Sequence, residues 1–250
     1  MDHARIGIGC GAGLSTFVLG IFILSSLSSL VLIPLGESPP IRQQIKLLPT
    51  KSKKDIAKFA IATTVFGFGA GLIISLLPLW FYLRFGVGGS ELGPMFVITN
   101  GLMAASYLIA PELSRRFGPV RSIVSTQLLS TIFLLAMPIF PSYNVVAIIY
   151  VLRSFLMNIS VPIQSAFMMD VVYPNERALA SSISAPSSGV AWGISFSISQ
   201  GIGGFMLEQH MLELPFYICS IMYILGAILF FMFFHFQSSA GISSTQTSRP

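Results

Sequence analysis

Arg153 is the one charged side chain near the middle of any apolar run in this 250-residue chain. It lies about eight residues into its run, roughly 12 Å deep if the run is a helix rising 1.5 Å per residue. A guanidinium at that depth in hydrocarbon costs at least about 2.5 kcal/mol, so it must face a cavity or a partner. No Asp or Glu lies at comparable depth. The countercharge must then come from backbone carbonyls, a bound anion, or helices outside this chain. On a helix, Arg153, Met157, Ser160 and Gln164 fall on one face. This pattern fits contact with an anionic or polar solute, the alternative being a structural arginine bonded to neighbouring carbonyls.

Other polar groups recur at helical spacing. Ser181, Ser184, Ser188, Trp192, Ser195 and Ser199 follow one another at intervals of three or four. Trp192 fits cavity lining and plain packing equally, and Asn100 and Tyr107, seven apart in one run, fit the same cavity. Gly189 and Gly193 form a G-x-x-x-G pair, which allows close helix approach, and Pro186 between these groups should kink the helix. Gly7-Ile8-Gly9-Cys10-Gly11-Ala12 fits a dinucleotide fingerprint but neither follows a strand nor opens a crossover helix, so its required context is missing. No nucleophile–base pair, phosphate loop or metal cluster occurs, and His3, His210 and His235 sit near the ends of apolar runs. Neither catalysis nor a cofactor nor a metal is expected. Cys10 and Cys219 lie inside apolar runs and read as packed thiols, not as a disulfide or metal pair.

The elements that carry these residues follow from composition. Hydrophobic residues make up 54% of the chain and charged residues 9%, where a soluble domain carries about 25%. So few charges cannot wet a globule, and lipid is the solvent that tolerates such a chain. The net charge of +5 is spread over short connections rather than gathered in one patch, which argues against a nucleic-acid partner.

A crossing helix needs about 20 apolar residues. Breaks in the pattern give about seven transmembrane helices, over 6–35, 56–83, 92–110, 122–140, 145–169, 178–207 and 214–236. The first run is too long and too poorly charged at its start for a signal peptide, so it reads as a retained span. Lys and Arg gather on one side: Arg42, Lys46, Lys51, Lys53, Lys54, Lys58, Arg115, Arg116, Arg121, Arg177 and Arg249, against Arg5 and Arg84 on the other. That bias predicts an outer N-terminus and a cytoplasmic C-terminus in a cell membrane. Trp80, Phe81 and Tyr82 then read as an outer interfacial anchor. The basic loop over 36–55 suits orientation and contact with anionic headgroups, and the Ser/Thr-rich tail over 237–250 reads as disordered.

The third loop runs Pro111-Glu112-Leu113-Ser114-Arg115-Arg116-Phe117-Gly118-Pro119-Val120-Arg121. It resembles the cytoplasmic signature of the major facilitator superfamily, G-x-L-x-D-R-x-G-R-[RK], with Leu113, Arg116 and Gly118 matching. Pro111 stands for the leading Gly, Arg115 for the Asp, and Pro119-Val120 for the closing basic pair. Six runs after a long basic loop, with the signature after the second of them, are similar to the C-terminal half of such a transporter. The resemblance covers roughly residues 6–236.

The resemblance implies an all-α membrane fold, with a six-helix bundle over 56–236. The helix within 1–35 would be the last one of an N-terminal half that is missing from this chain and supplied in cis or in trans. It implies secondary transport of a small organic solute by alternating access, without enzyme activity. Arg153, Gln164, Trp192 and Asn100 would line the substrate cavity. Arg116, Gly118, Asp170 and Arg177 would form an inner gate, with Asp170 close to Arg116 or Arg177. The competing expectation is a membrane-embedded accessory protein without a polar cavity or transport of its own.

Overall fold

The structure, a computed structural model, describes residues 51–246 and the side chains of 51–235. The first run, the glycine-rich decoy, Cys10 and most of the basic loop lie outside the described residues. Among the described residues the chain is helical throughout, with no strand. Helix α1 covers Lys53–Ile73, α2 Leu77–Phe85, α3 Gly89–Phe117, α4 Pro119–Ala136, α5 Tyr143–Val171, α6 Arg177–Ser184, α7 Val190–Glu208 and α8 Leu214–Gln246. Six stretches are long and apolar enough to cross a membrane: α1 with α2, then α3, α4, α5, α7 and α8. In a bilayer every backbone amide must find a partner within the protein, and helices satisfy this locally.

Side-chain hydroxyls obey the same rule. Thr63 donates to the Phe59 carbonyl, Thr126 to Ser122, Thr131 to Gln127 and Ser220 to Phe216, all at 2.7–2.8 Å. Each bond runs back one turn within its own helix, so a Ser or Thr enters an apolar bundle without needing water.

Two spans are broken. A 3₁₀ turn at Ile74–Leu76 separates α1 from α2; Pro78 lacks the amide that would continue the ladder and sits in the first turn of α2. The span expected over 178–207 is not one kinked helix but two. Between α6 and α7 the chain unwinds around Pro186, Ser187 takes a positive φ of 62°, and Gly189 caps α7. Proline here ends a helix instead of bending it. At the other extreme, α8 stays helical to Gln246, into the stretch read as a disordered tail. Extending a helix already nucleated upstream costs far less than starting one.

Neighbouring helices in the chain run antiparallel across the bundle, which gives it two ends. The basic end gathers the start of α1, the α3–α4 corner and the α5–α6 connection. The far end gathers the α2–α3, α4–α5 and α7–α8 connections. Helix α7 packs on α1, α3 on α5, and α4 and α8 fill the space behind. The strand of small residues that makes the α1–α7 approach possible is not Gly189 and Gly193. A Cβ on Gly67 would stand 2.9 Å from the Trp192 carbonyl, and one on Gly71 or Gly203 would collide with the Phe196 or Leu72 carbonyl. Gly193 has open space around it, and Gly189 is hemmed in by its own turn.

The far end is knitted by side chains. Trp80 and Phe81 are fully buried, which corrects the expected interfacial anchor; only Tyr82 of the three is exposed. The indole needs an acceptor once buried, and its Nε1 donates to the Leu212 carbonyl at 2.8 Å. Arg84 donates to the Pro138 carbonyl at 2.6 Å and pairs with Glu213 at 3.5 Å. A shallow cleft of about 360 Å³ lies beside it, lined by Arg84, His210 and residues 211–214.

Candidate functional site

Arg153 sits on the buried face of α5 and is 4% exposed. The helix carries it there because Val146, Tyr150, Arg153, Ser160 and Gln164, all of them buried, recur at steps of three, four and seven residues and so share one face. Its guanidinium meets α8: Nη2 donates to the Tyr223 hydroxyl at 3.2 Å, and the charge lies 5.8 Å from the centre of the Tyr223 ring. Nε has no hydrogen-bond partner. Among the described residues no carboxylate pairs with it. Tyr223 is itself 2% exposed. Its ring meets Phe66 edge-on at 5.8 Å, and Gly69 on α1 leaves it room, since a Cβ there would come within 3.0 Å of the ring.

A second polar patch lies further along the same face, toward the basic end. Gln164 is buried, with Nε2 unpartnered. One turn away Ser160 accepts from Gln127 Nε2 on α4 at 3.5 Å, while Gln127 Oε1 and Ser130 Oγ have no partner. Arg153 and Gln164 therefore share a face but are about 16 Å apart along the axis, and they belong to different patches. Gln127, Ser130 and Tyr223 were missed from the sequence. The signal for the first two was present, because Ser122, Thr126, Gln127, Ser130 and Thr131 alternate at helical spacing on α4.

Trp192 is half-buried and packs against the same apolar cluster as Tyr223, Tyr150 and Met157, its ring stacked on Phe196. Asn100 is exposed on α3, its amide donating to the Phe96 carbonyl at 2.8 Å. Ser195 and Ser199, expected on a polar stripe, are buried against α1 instead.

The expected inner gate is not formed in this conformation. Arg116 pairs with Glu112 at 2.6 Å, as does Arg115; both are helical neighbours of that carboxylate. Among the described residues no ion pair joins Asp170 to Arg116 or Arg177, and all three are exposed. Gly118 has a clear backbone role. It turns the chain between α3 and α4 with φ 81° and ψ 154°, a region that residues with a Cβ avoid. Among the described residues no three of His, Cys, Asp and Glu gather as metal ligands would.

The Major Facilitator Superfamily aligns over residues 59–247, most of the chain. The chain belongs to the major facilitator superfamily. Its members are membrane transporters, not enzymes, and this chain is a multi-pass membrane protein. It is also 30% identical, over 96 residues, to an uncharacterized membrane protein of Saccharomyces cerevisiae, YJR124C. That stretch is 38% of this chain and 21% of the yeast protein, so the chain spans about a fifth of the curated relative it matches. No solved structure matches the chain.

Proposed function

We propose that this superfamily member is a secondary transporter that carries a small organic solute by alternating access, with Arg153 contacting the solute. The observation that carries this reading is the buried guanidinium with a free Nε and no described acid beside it. A buried charge without a partner is strongly destabilising, so a site that keeps one has a use for it, and intramembrane charges mark solute pathways.

The outlying helices support a second layer of helices. Windows of α3 and α7 are only 17% and 22% buried, against 56% for α1 with α2. On α7 two sectors differ in character. Ile194, Ile198, Ile202 and Phe205 form a bulky apolar sector suited to lipid. Exposed Gly193 and Ser197 with half-buried Gln200 and Gly204 form a small and polar one. On α3 the exposed surface is mixed, with Asn100 and Ala104 set among Val97, Ile98, Leu108 and Ile109. Small and polar sectors suit helix packing or a watered cavity better than acyl chains.

In this reading the six helices are the C-terminal half, and an N-terminal half in cis or trans closes the cavity lined by Asn100, Trp192, Arg153 and Gln164. The basic end faces the cytoplasm of a cell membrane, with the N-terminus outside and the C-terminus inside. There Gly118 shapes the corner, and Arg116 exchanges Glu112 for Asp170, with Arg177 nearby, when the inner side closes. The test is uptake of labelled benzoate by the full-length protein in vesicles, wild type against Arg153→Gln. A fall of tenfold or more in uptake is expected. Unchanged rate and half-saturation in the variant defeat the substrate role.

A further inference from the structure

We infer that Arg153 and Tyr223 form a carboxylate-recognition pair, in which Tyr223 is the positioning residue and the solute is a monoanion with an apolar body. The inference rests on the reading of Arg153 as the solute contact and extends it to a substrate class.

The charge state follows from what surrounds the guanidinium. Arg153 brings one positive charge to this depth, and the other described cations lie at the two ends of the bundle: Lys51, Lys53, Lys54, Lys58, Arg115, Arg116, Arg121 and Arg177 at one, Arg84 at the other. One carboxylate cancels that charge. A dianion such as a phosphate ester leaves a net negative charge buried among Phe66, Tyr150 and Met157, and an unpaired buried charge is the costly case. The cluster around the arginine is aromatic and aliphatic, which selects an apolar body behind the carboxylate. Half-buried Met157 lies one turn from Arg153 on the same face, and its flexible thioether can adapt to that body.

Orientation comes from α8. An arginine side chain on a helix has several rotamers, and its planar fork helps only if held in one. The Tyr223 hydroxyl accepts from Nη2, which fixes the plane and leaves Nε as the free donor. Tyr223 is held in turn by Phe66 and by the space at Gly69. The guanidinium on α5 is thereby aimed by α8 and braced by α1. Cys219, one turn before Tyr223 on α8, is buried with its thiol beside the Tyr223 hydroxyl and the guanidinium.

The experiment is ligand-dependent thermal unfolding of the purified full-length protein in detergent, with benzoate as the probe and benzamide as its neutral counterpart. A ligand raises the midpoint in proportion to its saturation of the folded state. Benzoate should raise the wild-type midpoint saturably and benzamide should not. Arg153→Gln should abolish the response. Tyr223→Phe keeps the ring and removes the hydroxyl, so it should raise the half-saturating benzoate concentration about tenfold. The double variant R153Q/Y223F should behave as R153Q alone, since the two residues act as a unit. A wild-type response in Y223F alongside a dead R153Q overturns the positioning role and leaves the Arg153 reading standing. A wild-type response in R153Q overturns both. No wild-type response to benzoate, or an equal one to benzamide, overturns the carboxylate class, while uptake of other solutes still tests transport.

Discussion

Replacing Gly203 by alanine should separate α1 from α7, and the same change at Gly193 on the same helix should not. An added Cβ at Gly203 lands on the Leu72 carbonyl, which is backbone and cannot swing aside. Relief requires the two axes to move apart by about 1 Å, within the range of spacings that side chains set between packed helices. That shift also loosens the contacts of Gly67 and Gly71 with Trp192, Phe196, Ser195 and Ser199. Overpacking of this kind costs about 1–3 kcal/mol. At Gly193 nothing lies within 4 Å of the new methyl, so the helix simply gains the roughly 0.5–1 kcal/mol by which Ala exceeds Gly. The two variants should therefore differ by about 1.5–4 kcal/mol in opposite directions. With about 2–4 °C per kcal/mol for a domain of this size, their unfolding midpoints should lie roughly 3–16 °C apart in detergent at one scan rate. Equal midpoints, or a lower one for Gly193→Ala, refute the claim that α7 seats on α1 through Gly203.

Two further changes probe the basic end. Glu176 accepts from the backbone amides of Lys51 and Ser52 at 2.9 and 2.8 Å, so Glu176→Ala should free the start of α1 at a cost of about 1–3 kcal/mol. Trypsin should then cut after Lys51, Lys53 or Lys54 about tenfold faster, and an unchanged rate counts against the contact. Gly118→Ala forces a Cβ into a backbone region that costs about 1–3 kcal/mol; its unfolding midpoint should fall, and an unaltered one removes the backbone explanation for the glycine of the signature.

Spans were legible from sequence because lipid imposes a length and an apolar content that few other environments demand. The α3–α4 corner was legible because Gly118 must be glycine. Packing direction was not. Gly189 and Gly193 have the right spacing for a helix contact, yet spacing says nothing about which face meets a neighbour, and Gly67, Gly71 and Gly203 make the contact instead. Trp80 failed for a related reason: an aromatic near a span end suits the interface, but the indole also buries well if a carbonyl is within reach, and Leu212 supplies one from 132 residues away. Arg153 was legible as an anomaly of charge. Its partner Tyr223 was not, because a single tyrosine in an apolar run carries no pattern.

The ties at the two ends bear on how such a bundle moves. At the far end Arg84 joins α2 to the end of α4 and to the α7–α8 connection, while Trp80 joins α2 to that connection as well. At the basic end Ser184 donates to the Ile56 carbonyl, the Tyr173 amide donates to Ser52, and Glu176 holds the start of α1. Every one of these contacts lies within the six-helix unit. They oppose bending of the unit at either end, and they brace the breaks at 74–76 and 185–189 that would otherwise act as hinges. A rigid unit can still rock as a whole against a facing layer, and rocking of one bundle against another is the usual form of alternating access. In the transport cycle proposed above, the internal ties favour movement of the bundle as one body, with Arg153 carried at its centre.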